Sequence, residues 1–106
     1  SSRRVVVTGL GLITPVGNDV ETAWSAIKDG KSGINTIEHF DTSDFSTRFG
    51  GTVKDFACTF YMSAKDARRM DTVMHYGIAA GIQAIQDSGV DETNLDPKRG
   101  GVAIGS

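Results

Sequence analysis

Residues 5–17 read VVVTGLGLITPVG, an apolar run followed by glycines at positions 9 and 11. A strand running into glycines and then a helix is the outline of a phosphate-binding turn. This stretch therefore decides between a dinucleotide-binding fold and another kind of α/β protein. A dinucleotide turn needs one glycine for the tight bend, a second for close approach to pyrophosphate and a third for helix–strand packing. Gly9 and Gly11 occupy the first two places, but Thr14 stands at the third. Pro15 follows, removing an amide donor where phosphate would need one and biasing Thr14 away from helical angles. No acidic residue about 20 positions on stands at a convincing strand end to bind a ribose hydroxyl. The stretch reads as a glycine-rich turn between a buried strand and a capped helix.

Arg4–Thr8 is the strand; its consecutive valines, without polar alternation, predict burial on both faces as in a parallel sheet. Asn18 is the expected N-cap of the following helix, with Glu21 closing a capping box. Val20, Ala23, Trp24 and Ile27 recur at i, i+3, i+4 and i+7, which places Trp24 in the core, and Gly30 is the stop signal. Residues 31–51 are rich in Gly, Ser, Thr and Asp and read as a long surface excursion pinned by Phe40, Phe45 and Phe49. Thr52–Phe56 reads as a short edge strand. Ser63, with Asp66 in its box, opens a short polar helix ending near Asp71.

A longer helix is predicted from Thr72 to Ser88, closed by Gly89. Val73, Met74, Ile78, Ala79, Ala80, Ile82, Ala84 and Ile85 surround its whole circumference, so burial on nearly every side is expected. Gly77 and Gly81 lie one turn apart, and a glycine inside a helix costs ~1 kcal/mol relative to alanine. Their presence predicts another backbone packed closely against them. Gly101–Ile104 reads as a second buried strand. Two buried parallel strands, a short edge and three helices cannot surround such a helix, so the 106 residues are expected to be part of a larger fold.

Composition narrows the function classes. The chain is 39% hydrophobic and 23% charged, as in soluble globular proteins, and its length suits one small domain at most. A formal net charge of −2 gives no broad attraction to nucleic acid or an anionic membrane, so neither is an expected partner. No apolar run approaches the ~20 residues needed to span a bilayer. One cysteine cannot form an internal disulfide, and no secretory signal is evident, which together fit a reducing compartment. The Ser1-Ser2 start without methionine points to processing or a joining point.

The segments VVVTGLGLITPVGN, W, GKSGI, FDTS, SAKDARRMD, AIQDSG and GGVAIGS follow one another in an order and spacing that resemble the β-ketoacyl-[acyl-carrier-protein] synthases. The likeness is to the KAS II (3-oxoacyl-[acyl-carrier-protein] synthase II) type, covers essentially the whole chain, and is carried by seven pieces in register. Thr14-Pro15 and the FDTS loop favour that type. The resemblance implies a thiolase-like, five-layered α-β-α-β-α fold, of which residues 1–106 form an incomplete N-terminal portion of the synthase N-terminal domain. It implies a homodimeric acyltransferase of fatty-acid elongation, without cofactor or metal. Its partners would be acyl carrier protein in its acyl and malonyl forms, and its location the bacterial cytoplasm or an organellar stroma or matrix. In such an enzyme the Gly-x-Gly turn shapes the fold and binds no dinucleotide. The nucleophilic cysteine and two histidines are expected beyond Ser106, so no catalytic residue is expected here and this portion alone is expected to be inactive. A KAS I enzyme or a polyketide ketosynthase domain is the alternative within the superfamily. A nicotinamide-dependent oxidoreductase and a non-catalytic carrier-binding module are the alternatives outside that assignment.

Cys58, in DFACTFYM, echoes the nucleophile motif superficially but leads from an edge strand into a loop, with no charged or histidine neighbour in sequence to lower its pKa. It is expected to be a partly buried bystander. His39 and His75 are assigned structural roles, since no Cys/His/Asp spacing indicates a metal site. Lys65, Arg68 and Arg69 lie at i, i+3 and i+4 and project from one face of the short helix. Taken alone, and mixed with Asp66 and Asp71, they read as a solvated face. The resemblance implies that they dock the acidic carrier protein.

Overall fold

The structure, a computed structural model, describes residues 2–106; Ser1, half of the Ser1-Ser2 start, lies outside the described residues. The chain divides into two compact units, one spanning Ile13–Ala57 and one combining the residues up to Leu12 with Cys58–Ser106.

In the Ile13–Ala57 unit, Thr14 and Gly17 exchange backbone hydrogen bonds of 2.8 and 3.2 Å and close a tight turn at TPVG. Helix α1 spans Val20–Lys28. Its N-cap is Asp19, whose Oδ1 accepts from Thr22 N at 2.7 Å. Asn18, the expected cap, instead donates its side-chain amide to the Lys54 carbonyl at 2.8 Å. Of the two side chains only the asparagine amide can donate to a carbonyl, so the asparagine takes the long-range bond and the aspartate takes the helix end, where its charge also complements the dipole. At the other end Gly30, with φ +70°, makes the expected stop, with Lys31 N on Ala26 O at 2.9 Å and Gly30 N on Ile27 O at 3.1 Å.

The buried face of α1 carries Ala23 and Ala26, whereas Trp24 is 58% exposed. The expectation of a core Trp24 thus fails within this unit. What covers the helix is the backbone of Gly17, which sits so close that a Cβ there would come within 2.6 Å of Ala23 N. Such a contact admits only small side chains.

Strands β1 (Ile34–Thr36) and β2 (Phe49–Gly51) pair antiparallel, with Ile34 opposite Gly51 and Thr36 opposite Phe49. The expected edge strand at 52–56 therefore lies earlier in the chain. Asp55 has φ +54°, which no strand residue adopts and which aspartate tolerates better than most, so the chain turns there. Lys54 Nζ fills that turn, donating to the carbonyls of Thr52 (3.0 Å), Gly33 (3.1 Å) and Pro15 (3.2 Å). Of the aromatic residues of the excursion, Phe40 packs edge-on to Phe45 with centroids 6.2 Å apart, and both remain about half exposed; the buried side chain there is Thr42.

In the other unit, helix α2 spans Ala64–Ala67 and helix α3 spans Thr72–Ser88, the latter ending at Gly89 with φ +73°, as its sequence predicts. Helix α2 stops short of the end expected near Asp71, because Arg69 N and Met70 N bond back three residues, to Asp66 O and Ala67 O, and tighten the chain into a turn that leaves Arg69 outside the helix. Arg4–Thr8 and Gly101–Ile104 form no strand; Val5 is 88% and Val102 89% exposed. A strand exists only with a hydrogen-bonded neighbour, and among the described residues the only ladder is β1–β2. Similarly, α3 buries Ala79 fully but leaves Val73, Met74 and Ile85 half exposed. No helix among the described residues is long and apolar enough to cross a membrane.

Close backbone contact to α3 does occur, at other glycines than expected. Gly81 has nothing within 4 Å of where a Cβ would stand, and Gly77 meets only an Ile104 methyl at 3.8 Å. Gly9 and Gly11 are the crowded ones. A Cβ on Gly9 would strike the Ala84 carbonyl oxygen and lie 2.7 Å from Ser88 N; one on Gly11 would strike the Ala80 carbonyl and lie 2.7 Å from Ala84 N. The opening stretch is laid along the last turns of α3.

Candidate functional site

The glycine-rich stretch is committed to the helix rather than to a ligand. Leu10 N donates to Asp87 Oδ2 at 2.9 Å and Leu12 N donates to Gln83 Oε1 at 3.0 Å. These are amides that a phosphate turn would have to leave open, and the N-terminus of α1 is already occupied by the Asp19 carboxylate. An anion brought there would meet a negative charge. The oxidoreductase alternative loses its site on both counts.

A cleft of about 350 Å³ in the Ile13–Ala57 unit is lined in part by Asn18, Asp19, Thr22, Lys54 and Asp55. Two of its charged groups serve the fold: Lys54 is held by three carbonyls and Asp19 caps α1. No group of three or more His, Cys, Asp or Glu among the described residues is arranged to hold a metal ion.

The cationic cluster is built from local signals. Cys58–Phe60 forms a 3₁₀ turn, closed by Tyr61 N and Met62 N on the Cys58 carbonyl at 2.9 and 3.1 Å. Ser63 then caps α2, its Oγ accepting from Asp66 N at 3.1 Å with the extended backbone that an N-cap requires. The chain continues as a tight turn after Ala67, with Arg69 N on Asp66 O at 3.0 Å. Lys65, Arg68 and Arg69 are all exposed, as are Asp66 and Asp71. The arrangement places three exposed cations on and just after a short, capped scaffold. It can recognise an acidic surface and has no group placed for bond-making.

Two side chains of α3 hold this scaffold. Gln83 Nε2 donates to the Tyr61 hydroxyl at 2.9 Å, before α2, and His75 Nε2 lies 2.8 Å from the Ala67 carbonyl, at its end. The general assignment of a structural role to His75 thus acquires a specific partner, eight residues back in the chain. Neither Gln83 nor Lys54 was singled out by sequence reasoning. A polar residue amid the apolar stripes of α3 is the one signal that marks Gln83. His39 stacks edge-on against Phe40 with centroids 4.7 Å apart. Cys58 is a half-buried free thiol that opens a three-residue turn.

The chain belongs to the beta-ketoacyl synthase family, matching the model described as "Beta-ketoacyl synthase, N-terminal domain" over residues 2–106. Among individual proteins it is similar to the 3-oxoacyl-[acyl-carrier-protein] synthase 2 of Vibrio harveyi, with 63% identity over 100% of this chain and 26% of the relative. It is 40% identical to the chloroplastic 3-oxoacyl-[acyl-carrier-protein] synthase I of Arabidopsis thaliana, over 98% of this chain and 23% of that protein. A solved structure, the ishigamide ketosynthase/chain length factor, superposes with a TM-score of 0.76 at 33% identity, over 90% of this chain and 24% of that one. The fold class is the thiolase-like one of these ketosynthases. The chain spans about a quarter of the length of the relatives it matches.

Proposed function

We propose that residues 1–106 form an N-terminal portion of the synthase domain of a KAS II-type 3-oxoacyl-[acyl-carrier-protein] synthase, an acyltransferase of fatty-acid elongation. The observation that carries this reading is the 63% identity, along the entire chain, to a protein named 3-oxoacyl-[acyl-carrier-protein] synthase 2. The complete protein would have the five-layered thiolase-like architecture. Its further layers would cover the apolar surface that Val5, Val102 and the half-exposed residues of α3 leave open. A homodimer in the bacterial cytoplasm or an organellar stroma is the setting that goes with it.

The reaction is a decarboxylative Claisen condensation. A cysteine thiolate elsewhere in the protein takes the acyl group from its carrier, releasing the carrier thiol. Malonyl-carrier protein loses carbon dioxide, and the carbanion attacks the acyl-cysteine carbonyl, forming the 3-oxoacyl-carrier product and restoring the cysteine. Two histidines, also elsewhere, stabilise the developing charge. Cys58 takes no part.

This chain's share is recognition. Lys65, Arg68 and Arg69, exposed on and just after a capped turn, present positive charge on a protein of net charge −2. An acidic carrier protein is steered and oriented by such a patch, with more effect on association rate and specificity than on raw affinity.

The test uses the full-length protein. It should convert acyl- and malonyl-carrier protein to a 3-oxoacyl product, and reversing charge with Arg68→Glu and Arg69→Glu should raise KM for carrier-bound substrates while sparing carrier-free thioesters. Carrier binding that ignores salt, or that survives the double reversal, removes the docking assignment; failure to form 3-oxoacyl product removes the enzyme. The 40% identity to a synthase I and the 33% identity to a ketosynthase/chain length factor support a second reading, a KAS I or polyketide ketosynthase type. Chain-length analysis of the products separates the two.

A further inference from the structure

We propose that His75 is a positioning residue for carrier docking: its ring N–H at Nε2 holds the Ala67 carbonyl and thereby fixes where Arg68 and Arg69 stand. This rests on the docking reading above and deepens it.

The argument begins with length. Helix α2 has four residues, and a helix shorter than ~12 residues is marginal in water, so its geometry must be imposed from outside. Ser63 secures the first turn. At the far end a tight turn meets the last carbonyls, Asp66 O receiving Arg69 N at 3.0 Å and Ala67 O receiving Met70 N at a longer 3.3 Å. The 2.8 Å contact from His75 is the tighter of the two on Ala67 O, and it comes from a different element.

Position makes that contact matter. Ala67 immediately precedes Arg68, the C-cap residue of α2, and Arg69. Its carbonyl is the last point anchored to α3 before both arginines. His75 sits one turn into α3, a 17-residue helix, and is half-buried, so it transmits the register of a rigid element to a short one. A carbonyl accepts only, so the ring nitrogen must carry the proton, and an imidazole reaches the carbonyl with few rotatable bonds. Without the clamp the three cations keep their charge but lose their spacing. Long-range steering would then persist while the docked complex weakened.

The experiment compares His75→Ala, His75→Gln and the Arg68→Glu/Arg69→Glu double variant in the full-length synthase. KM and kcat are measured for malonyl-carrier protein and for a malonyl thioester of free pantetheine. His75→Ala should raise KM for the carrier-bound substrate about three- to tenfold, the effect of losing one hydrogen bond, with kcat and the carrier-free KM unchanged. His75→Gln, whose amide can donate to the same carbonyl, should restore most of the loss. Where His75→Ala does not fold, His75→Asn, which stays polar but falls short of Ala67, serves the same comparison. An unchanged carrier KM, an equal rise for both substrates, or a glutamine variant no better than alanine overturns the proposal. If the double charge reversal raises the carrier KM and His75→Ala does not, only the positioning role fails. If neither moves it, the docking reading itself fails and takes the clamp with it.

Discussion

The side chain of Gln83 accepts from the backbone N–H of Leu12 at 3.0 Å, joining residues 71 apart in sequence. Its other end donates to the Tyr61 hydroxyl, so a single amide ties the glycine-rich stretch and the approach to the cationic turn to the same face of α3. Asp87, one turn further on, repeats the first of these contacts with Leu10. The glycines at 9 and 11 exist for this arrangement: the backbone must lie directly on the helix for its amides to reach those two side chains.

The crowding gives a first prediction. Gly9→Ala or Gly11→Ala in the full-length protein must push backbone away from backbone, because what a Cβ meets is the Ala84 or Ala80 carbonyl and no flexible side chain can yield. Each substitution should cost about 3 kcal/mol or more, at or above the usual range for overpacking. Chemical denaturation checks this, and a loss below 1 kcal/mol would contradict the packing. In a peptide of residues 71–89, by contrast, Gly77→Ala and Gly81→Ala should each raise helicity by circular dichroism, since they relieve ~1 kcal/mol of helix cost.

At the start of α1 the two neighbouring residues have separate tasks. Asp19→Ala removes the acceptor for Thr22 N and should destabilise the protein by about 1 kcal/mol. Asn18→Asp leaves a residue that caps equally well in general, yet it can no longer donate to the Lys54 carbonyl and places an acceptor against an acceptor. It should therefore destabilise as well, and thermal melts of both variants will show whether Asn18 owes its place to capping or to that bond.

Asp91 and Asp41 supply a pH signature. The Asp91 carboxylate takes hydrogen bonds from the Thr93 side chain and backbone, which hold its pKa below the ordinary 3.8, and Ser43 does the same for Asp41. A lowered folded-state pKa means that the unfolded chain binds the proton more readily. The contribution to stability is therefore present above pH 3.8 and lost as pH falls through the folded value. Carboxyl NMR titration should find Asp91 below 3.8, and Thr93→Ala should move it back toward that value. No movement would show that the threonine is not the cause.

The features legible in the sequence are those written in neighbouring residues. The bounds of α3, the Ser63 cap and the Gly30 and Gly89 stops follow from backbone rules acting over a turn or two. The missing third glycine and Pro15 likewise exclude the pattern of a dinucleotide turn by local chemistry alone.

What the tertiary structure decided is who meets whom. Asn18 and Asp19 are near-equal caps until a carbonyl 36 residues away claims the amide. Trp24 sits on an apolar stripe, yet within its unit the face that is covered is that of Ala23 and Ala26. Arg4–Thr8 is rich in strand-forming valines, but strands are made by partners and the ladder formed here lies elsewhere. Helix interior glycines looked like the site of close approach, while the crowded ones were Gly9 and Gly11, because either side of a backbone contact can be the one that lacks a side chain. Hydrogen bonding within a turn is set by adjacent residues; packing and long-range hydrogen bonds, such as that of His75 to Ala67, are set only when the chain has brought its distant parts together.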